Sequence, residues 1–299
     1  CLVGSEMCIR DRYMLAPNGA LVAKAIREKV TAGTKVLIIG AGLIGLKCAE
    51  ALHHLNADIT VVDLADRILP SILDVRAGEI MQKHIEDKGT KFILGTSVEQ
   101  FSKNSAKLTN GETVDFDILV IAVGVRPNTE LVSDAGGKVE KGIITDLHQQ
   151  TTIDNVYAAG DCTVSHDCSS NTDRILALLP NAFMQGEVAG KNMAGEETLY
   201  LNAIPMNAIG FYGLHIITAG SYDGDEDITE DADKEIYKKL VFKDGLLKGF
   251  ILMGDVARAG IYTSMIKEQI PLTEVDLDLL RDKPQMMMFG KARPVSYTH

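Results

Sequence analysis

Three glycines and one aspartate carry the first chemical signal in the sequence: Gly40-Ala41-Gly42-Leu43-Ile44-Gly45, followed 18 residues after the last glycine by Asp63. Gly40 permits a tight turn out of a strand, Gly42 lets backbone amides approach a pyrophosphate, and Gly45 lets a helix pack closely on a sheet. Leu43 and Ile44 open that helix, whose free amides and positive dipole end suit an anion. A bare GxGxxG is weak evidence. This one leaves an apolar run, opens a helical pattern and is answered by an acid at the end of the next apolar run, the context that points to a dinucleotide. Asp63 would accept hydrogen bonds from adenosine ribose hydroxyls and repel a 2′-phosphate. Residue 64 is Leu rather than Arg, so NAD is expected in preference to NADP. The competing account is a glycine-rich turn in an unrelated α/β domain.

Two further segments end on glycine. Residues 151–161, TTIDNVYAAGD, run through apolar residues to Gly160, which allows close approach, and Asp161, whose carboxylate can accept hydroxyl hydrogen bonds. Residues 122–129, AVGVRPNT, place Gly124 after another apolar run and then a proline-fixed turn. Taken singly, each is as well explained as an ordinary turn.

The elements that must hold these groups follow from periodicity. KVLII (35–39) is a short apolar run expected as a buried parallel strand; LKCAEALHHLN is a helix ending near Asn56, and ITVVD (59–63) a second strand. Together they make a βαβ unit of about 30 residues. Leu73, Ala77, Ile80, Met81 and Ile85 have helical spacing before Gly89, and KFIL (91–94) reads as a third strand. Residues 97–116 alternate around Asn110-Gly111, the signature of a small antiparallel meander. FDILVIAVG (116–124) and VYAAGD (156–161) are expected as strands, Asn181 to Met193 as a helix, and the region after Leu201 as strands followed by helices near 255–268 and 273–281. An earlier helix is expected over ALVAKAIREKV, up to Val30.

Bulk properties exclude several classes. A length of 299 residues suggests roughly two domains. The net charge of -11 argues against nucleic acid, whose phosphates need a basic face. No apolar run approaches the roughly 20 residues of a membrane span. Five cysteines without paired spacing fit a reducing, cytoplasmic setting better than a disulfide framework.

In this order and at these separations, the three glycine segments resemble the pyridine-nucleotide–disulfide oxidoreductase superfamily of two-dinucleotide flavoproteins, nearest the branch of NADH oxidases, rubredoxin reductases and the flavin part of nitrite reductases. The resemblance covers about residues 13 to 290. It implies an α/β fold: a Rossmann-like NAD-binding βαβ domain with an antiparallel meander, part of an FAD-binding domain, and a C-terminal α+β domain. It implies NAD at Gly40, Gly42, Leu43, Ile44, Gly45 and Asp63, with Gly124 ending the adjoining strand. It also implies FAD at Gly160 and Asp161, and at a helix starting at Leu179-Pro180-Asn181-Ala182 whose N-terminal dipole faces the flavin pyrimidine. The implied activity is hydride transfer from NADH to FAD, then electron delivery to an acceptor such as rubredoxin, oxygen, nitrite or a disulfide. The implied partners are a small redox molecule or a small electron-transfer protein, and a second copy through the C-terminal domain. Relatives commonly carry Glu two residues after the third glycine, near the nicotinamide. Here that position is Lys47, which either alters those contacts or is an exposed helix lysine.

By this resemblance residues 13–30 end a first FAD segment, 31–147 form the NAD domain, 148–196 return to the FAD domain and 197–294 form the C-terminal domain. Met7–Asp11, with the start of the Arg12 codon, and Val295–His299 match the two strands of one transposase-adapter DNA string, and residues 1–12 and 295–299 are expected to be non-native. The chain has a single GxGxxG, where a two-dinucleotide flavoprotein needs an earlier one for FAD. Two other readings therefore stand beside the flavin oxidoreductase: an NAD-binding module that is catalytically silent, and a flavin-free NAD dehydrogenase. No catalytic residue and no metal site is assigned. Cys162, His166 and Cys168 lack a fourth ligand and read as a loop, and Asp223, Asp225 and Asp227 lack the glycine and glutamate of a calcium loop and read as an acidic hairpin tip. His53 and His54, late in the helix, read as capping or exposed residues, Cys48 as packing, and Met286–Met288 as core or interface.

Overall fold

The structure is a computed structural model that describes residues 28–292. The expected adapter segments lie outside the described residues, as does the 13–30 segment apart from Glu28–Val30, of which Glu28 and Lys29 are helical. The described chain divides into two units. One runs to Arg126 and includes Gly210–Leu214; the other is made of Pro127–Ile209 and the residues from His215 onward.

In the first unit, β1 (Lys35–Ile39) buries Val36, Leu37 and Ile38 in succession. A strand buried on both faces belongs inside a parallel sheet. β2 (Asp58–Val62) and β7 (Ile118–Ile121) flank it in parallel, and β3 (Lys91–Ile93) adds to β2, giving the order β3-β2-β1-β7. α1 (Leu43–His53) leads from β1 to β2 and buries Gly45, Leu46, Ala49 and Leu52. α2 (Val75–Glu86) leads from β2 to β3 and buries Ala77, Met81 and Ile85 on one face. It starts at the N-cap Asp74, whose carboxylate accepts the Ala77 N–H at 2.9 Å.

The expected meander is present as β4 (Val98–Phe101), β5 (Ser105–Leu108) and β6 (Thr113–Asp115). Its turn uses Asn110-Gly111, with Gly111 at φ 92° and the Asn110 side chain accepting the Glu112 N–H. Ala106, Leu108 and Phe116 pack with Leu37 and Val62, so the meander covers part of the parallel sheet. Each large apolar side chain so buried contributes about 1.5–3 kcal/mol.

In the second unit, a short α3 (Glu130–Asp134) precedes β8 (Ile143–Ile144). β8 pairs in parallel with β9 (Thr163–Asp167), and β10 (Thr172–Ile175) pairs antiparallel with β9. α4 (Leu179–Met193) follows. The remaining sheet has the order β11-β12-β15-β14-β13, from β11 (Met206–Phe211), β12 (Leu214–Gly220), β13 (Asp225–Asp231), β14 (Ile236–Lys243) and β15 (Leu246–Met253). The β14–β15 turn is Asp244-Gly245, both at positive φ, the two-residue geometry that matches strand twist. α5 (Ala259–Lys267) lays Tyr262, Met265 and Ile266 against Leu240, Phe250 and Leu252, and α6 (Leu277–Arg281) adds Leu280. Met288 is buried in this cluster, while Met286 and Met287 are exposed.

Three expectations are corrected. Residues 156–161 form no strand, only an isolated antiparallel bridge of Tyr157 to Gln150, made by the Thr151 N–H to the Val156 carbonyl and the Ala158 N–H to that of Gln149, while the Gly160 N–H bonds to the Gln185 side chain. The stretch after Asp161, expected as a loop, is the β9–β10 hairpin. The acidic stretch is no hairpin tip; from Asp225 it is edge strand β13, with Asp223 paired to Lys243, Glu226 to Lys239 and Asp227 to Arg281. Asp is depleted in strands, which hides this one in the sequence, but charge on an edge blocks further pairing. Among the described residues no helix is long and apolar enough to cross a membrane.

Replacing Asp74 with Ala removes the α2 cap. The expected cost is about 1 kcal/mol, read as faster amide hydrogen exchange across Ala77–Met81 with the strands of the second unit unchanged.

Candidate functional site

The glycine turn of the first unit is built almost entirely from backbone. Gly40 continues the sheet, its N–H bonding to the Val62 carbonyl at 2.8 Å, and then turns at φ 112°. A Cβ on Gly40 would overlap the Ala122 carbonyl, and one on Gly45 would overlap the Gly40 carbonyl. Gly42 is different: nothing lies near the position its Cβ would take. α1 begins immediately afterwards with no side-chain cap, so its first amides, at Leu43 and Ile44, sit at an uncapped N-terminus. Ile44 is exposed.

Asp63 does more than stand at the end of β2. Its Oδ2 accepts the Ala41 N–H at 2.5 Å and its Oδ1 accepts the Ala65 N–H at 2.8 Å. The Ala41 carbonyl accepts the Leu69 N–H at 3.0 Å, so the peptide groups of a fully buried Ala41 are held from both sides by the loop after β2. Sequence reasoning found Asp63 but not this bond, which no spacing rule announces. Leu64 beside it is exposed.

Gly124 lies just beyond β7 at φ 109°, two residues after Ala122, whose N–H bonds to Ile39. The sheet thus brings Gly40, Gly42, Gly45, Asp63 and Gly124 to the carboxyl ends of β1, β2 and β7, the edge where open α/β sheets take ligands. Lys47 lies on α1 and turns elsewhere. Its Nζ donates to the Gly210 carbonyl, pairs with Glu50 Oε2 at 2.6 Å and stands 5.1 Å from the Phe211 ring centre. Glu50 Oε1 accepts the Tyr212 N–H at 2.6 Å.

In the second unit Gly160 turns at φ 91°, with Ala182 of α4 against the place of its missing Cβ. Asp161 is exposed. α4 opens at Leu179 with Pro180 in its first turn and no side-chain cap. Asn181 is fully buried and faces inward: its Nδ2 donates to the Ile204 carbonyl, and its Oδ1 accepts the Tyr200 hydroxyl at 3.0 Å. What α4 leaves open at this end is its backbone, with Leu179 and Phe183 exposed beside it. Gln185, which the sequence did not single out, bonds to Gly160 N–H through Oε1 at 2.5 Å. Its only signal was a polar residue on the buried face of an amphipathic helix.

The thiols are quiet. Burial pushes Cys48 up to about 11 and raises Cys162 and Cys168 as well. His166 of β9 pairs with Asp173 of β10 at 3.0 Å. Among the described residues no three His, Cys, Asp or Glu side chains are grouped to hold a metal.

Residues 18–186 match the family described as pyridine nucleotide-disulphide oxidoreductase. The chain belongs to that family. Residues 205–270 match the rubredoxin NAD+ reductase C-terminal domain. The epsilon subunit of NADH-dependent phenylglyoxylate dehydrogenase from Aromatoleum evansii is 31% identical over 84% of this chain and 62% of its own length. Rubredoxin-NAD(+) reductase from Acinetobacter baylyi is 30% identical over 88% of this chain and 66% of its own. The chain thus spans less than two thirds of the length of both relatives. The NAD-dependent persulfide reductase of A. fulgidus superposes with a TM-score of 0.75 at 26% identity, over 85% of this chain and 52% of that one. The mixed α/β architecture, with a parallel sheet in the first unit and a largely antiparallel one after β11, is that of this pyridine nucleotide-disulphide oxidoreductase family.

Because Gly45 has no room for a methyl group and Gly42 has open space, alanine separates the two positions. Gly45→Ala should cost about 1–3 kcal/mol, whereas Gly42→Ala should stay within about 0.5 kcal/mol of the parent, both measured by denaturant unfolding of the first unit.

Proposed function

We propose that this chain carries the NAD-binding part, and a portion of the FAD-binding part, of an NADH-dependent flavin oxidoreductase. The observation that carries the reading is the Gly40–Gly45 turn: an open cradle at Gly42, an uncapped helix start and the Asp63 carboxylate at its edge, inside a family match over residues 18–186. These groups fit a dinucleotide pyrophosphate, which takes backbone N–H donors at a helix N-terminus and needs no side chain at Gly42. When bound, NADH and FAD supply hydride transfer between nicotinamide and flavin.

The protein's own part is binding and orientation. The amides of Gly42, Leu43 and Ile44 receive the pyrophosphate. Asp63 keeps the Ala65 N–H on Oδ1 and the Ala41 N–H on Oδ2, and offers the remaining lone pairs of its carboxylate to the ribose hydroxyls. In the second unit, Asp161 accepts from the flavin ribityl hydroxyls, and the N–H groups at the start of α4 favour negative charge on the flavin ring. Burial raises the Cys48, Cys162 and Cys168 thiols above the ordinary cysteine range, which disfavours the reactive thiolate form. The match of residues 205–270 to a rubredoxin reductase C-terminal domain supports a small electron-transfer protein as the acceptor.

The direct test is the purified chain, examined for flavin absorbance near about 450 nm and for bleaching on addition of NADH under anaerobic conditions. Yellow protein that bleaches supports the reading. Colourless protein that takes up NADH but no added FAD replaces it with the binding-module reading. For the nucleotide choice, Asp63→Ala with Leu64→Arg should lower NADH affinity and raise NADPH affinity, each by roughly tenfold or more, because a carboxylate that repels the 2′-phosphate gives way to a guanidinium that pairs with it. Fluorescence titration with both nucleotides checks this.

A further inference from the structure

We propose that Gln185 is a positioning residue that holds the Gly160–Asp161 turn in register with the N-terminus of α4. The inference rests on the flavin reading of that turn. Gln185 is 1% exposed and sits one helical turn after Asn181. Its Oε1 accepts the Gly160 N–H at 2.5 Å and lies 3.2 Å from the Thr163 hydroxyl. Its Nε2 donates to Ser165 Oγ at 2.6 Å. The Gly160 N–H can only donate, so the amide has one orientation, with oxygen toward the turn.

The other side of the Gly160 residue is held as well. Its carbonyl accepts the Thr163 N–H at 3.0 Å and the Thr163 hydroxyl at 2.8 Å. Both backbone groups of Gly160 are therefore committed, at a φ of 91° that suits glycine. Asp161 follows directly and projects from this fixed point into solvent. α4 is itself pinned one turn earlier, where Asn181 bonds to the Ile204 carbonyl and the Tyr200 hydroxyl. A single buried amide thus ties Gly160, the residue before the carboxylate, to the helix that presents the dipole. Apolar packing alone would hold the helix but would not set the direction of the Gly160 N–H.

The test uses the full chain with Gln185→Leu, which keeps the bulk and removes the hydrogen bonds, and Gln185→Glu, which keeps an acceptor for Gly160. In the Leu variant the Gly160 and Asp161 amides should exchange about tenfold faster, the loss of one buried hydrogen bond. FAD retention after gel filtration should fall by a similar factor, while NADH affinity, set in the first unit, changes less than about twofold. The Glu variant should restore slow exchange and flavin retention. Unchanged exchange at Gly160, or normal flavin retention, in the Leu variant overturns the assignment to Gln185. A parent chain that takes up no flavin overturns the underlying flavin reading instead, and the exchange measurement still decides whether Gln185 holds the turn. If the Leu variant does not fold, the Glu variant decides: parental exchange supports the proposal, and fast exchange at an unchanged melting temperature overturns it.

Discussion

The close approach of Gly45 to the Gly40 carbonyl is the constraint on which the first unit depends. A helix separated from its strand by only three residues must fold back over the sheet within one turn, and any Cβ at Gly45 would collide with the Gly40 carbonyl just past the end of that strand. The same crowding recurs at Gly40 against Ala122, so β1, β7 and α1 converge on a point where only backbone fits. Apolar packing drives the convergence: Leu37 and Ile38 of β1 and Leu46 and Ala49 of α1 are all buried completely. The polar consequence is a cluster of amides at the uncapped start of α1, directed by the fold and not by any side chain. Asp63 then supplies a charged group, and by taking the Ala41 N–H it gives that buried peptide a partner.

The second unit solves a similar problem with different chemistry. Its glycine turn lies against α4, and the inner face of that helix is lined by amides instead of being wholly apolar. Asn181, Gln185 and Asn192 each bond to a loop: Asn181 to Ile204, Gln185 to Gly160, and Asn192 to the carbonyls of His148 and Thr198. A buried amide left unpaired would cost about 1–3 kcal/mol, so each pairing penalises any slide of the helix past its loops. Shape complementarity alone tolerates small shifts; directional bonds to the two connecting segments, residues 145–162 and 194–205, do not.

The contrast explains what the sequence made legible. The βαβ unit, the meander turn at Asn110-Gly111 and the Asp244-Gly245 hairpin could be read because each rests on local rules of periodicity, positive φ and strand twist. Residues 156–161 misled because an apolar run says a segment is covered without saying what its backbone bonds to, and here the partners are Gln149, Thr151 and Gln185. β9 and β10 were hidden because TVSHD and TDRI mix polar residues through both faces. Asp63 was legible as a candidate by its place after β2, yet its bond to Ala41 depends on tertiary geometry. Gln185 is the same case without a motif to announce it.

Lys47 shows how a departure from the family pattern is absorbed locally. An ammonium at a position where the family resemblance leads one to expect a carboxylate would reverse the field near the glycine turn if it pointed there. It does not: Glu50, one turn along α1, takes its charge at 2.6 Å, and the remaining donors reach the Gly210 carbonyl. The pair is partly exposed, and such a pair contributes only about 0–1 kcal/mol, so stability is a weak reason for it. Direction is the stronger one. Glu50 also accepts the Tyr212 N–H, and the Lys47 ammonium stands over the fully buried Phe211 ring, so both side chains are turned toward Gly210–Leu214. The glycine turn is left with Asp63 as its charged neighbour and backbone amides as its donors, a set that needs nothing from position 47.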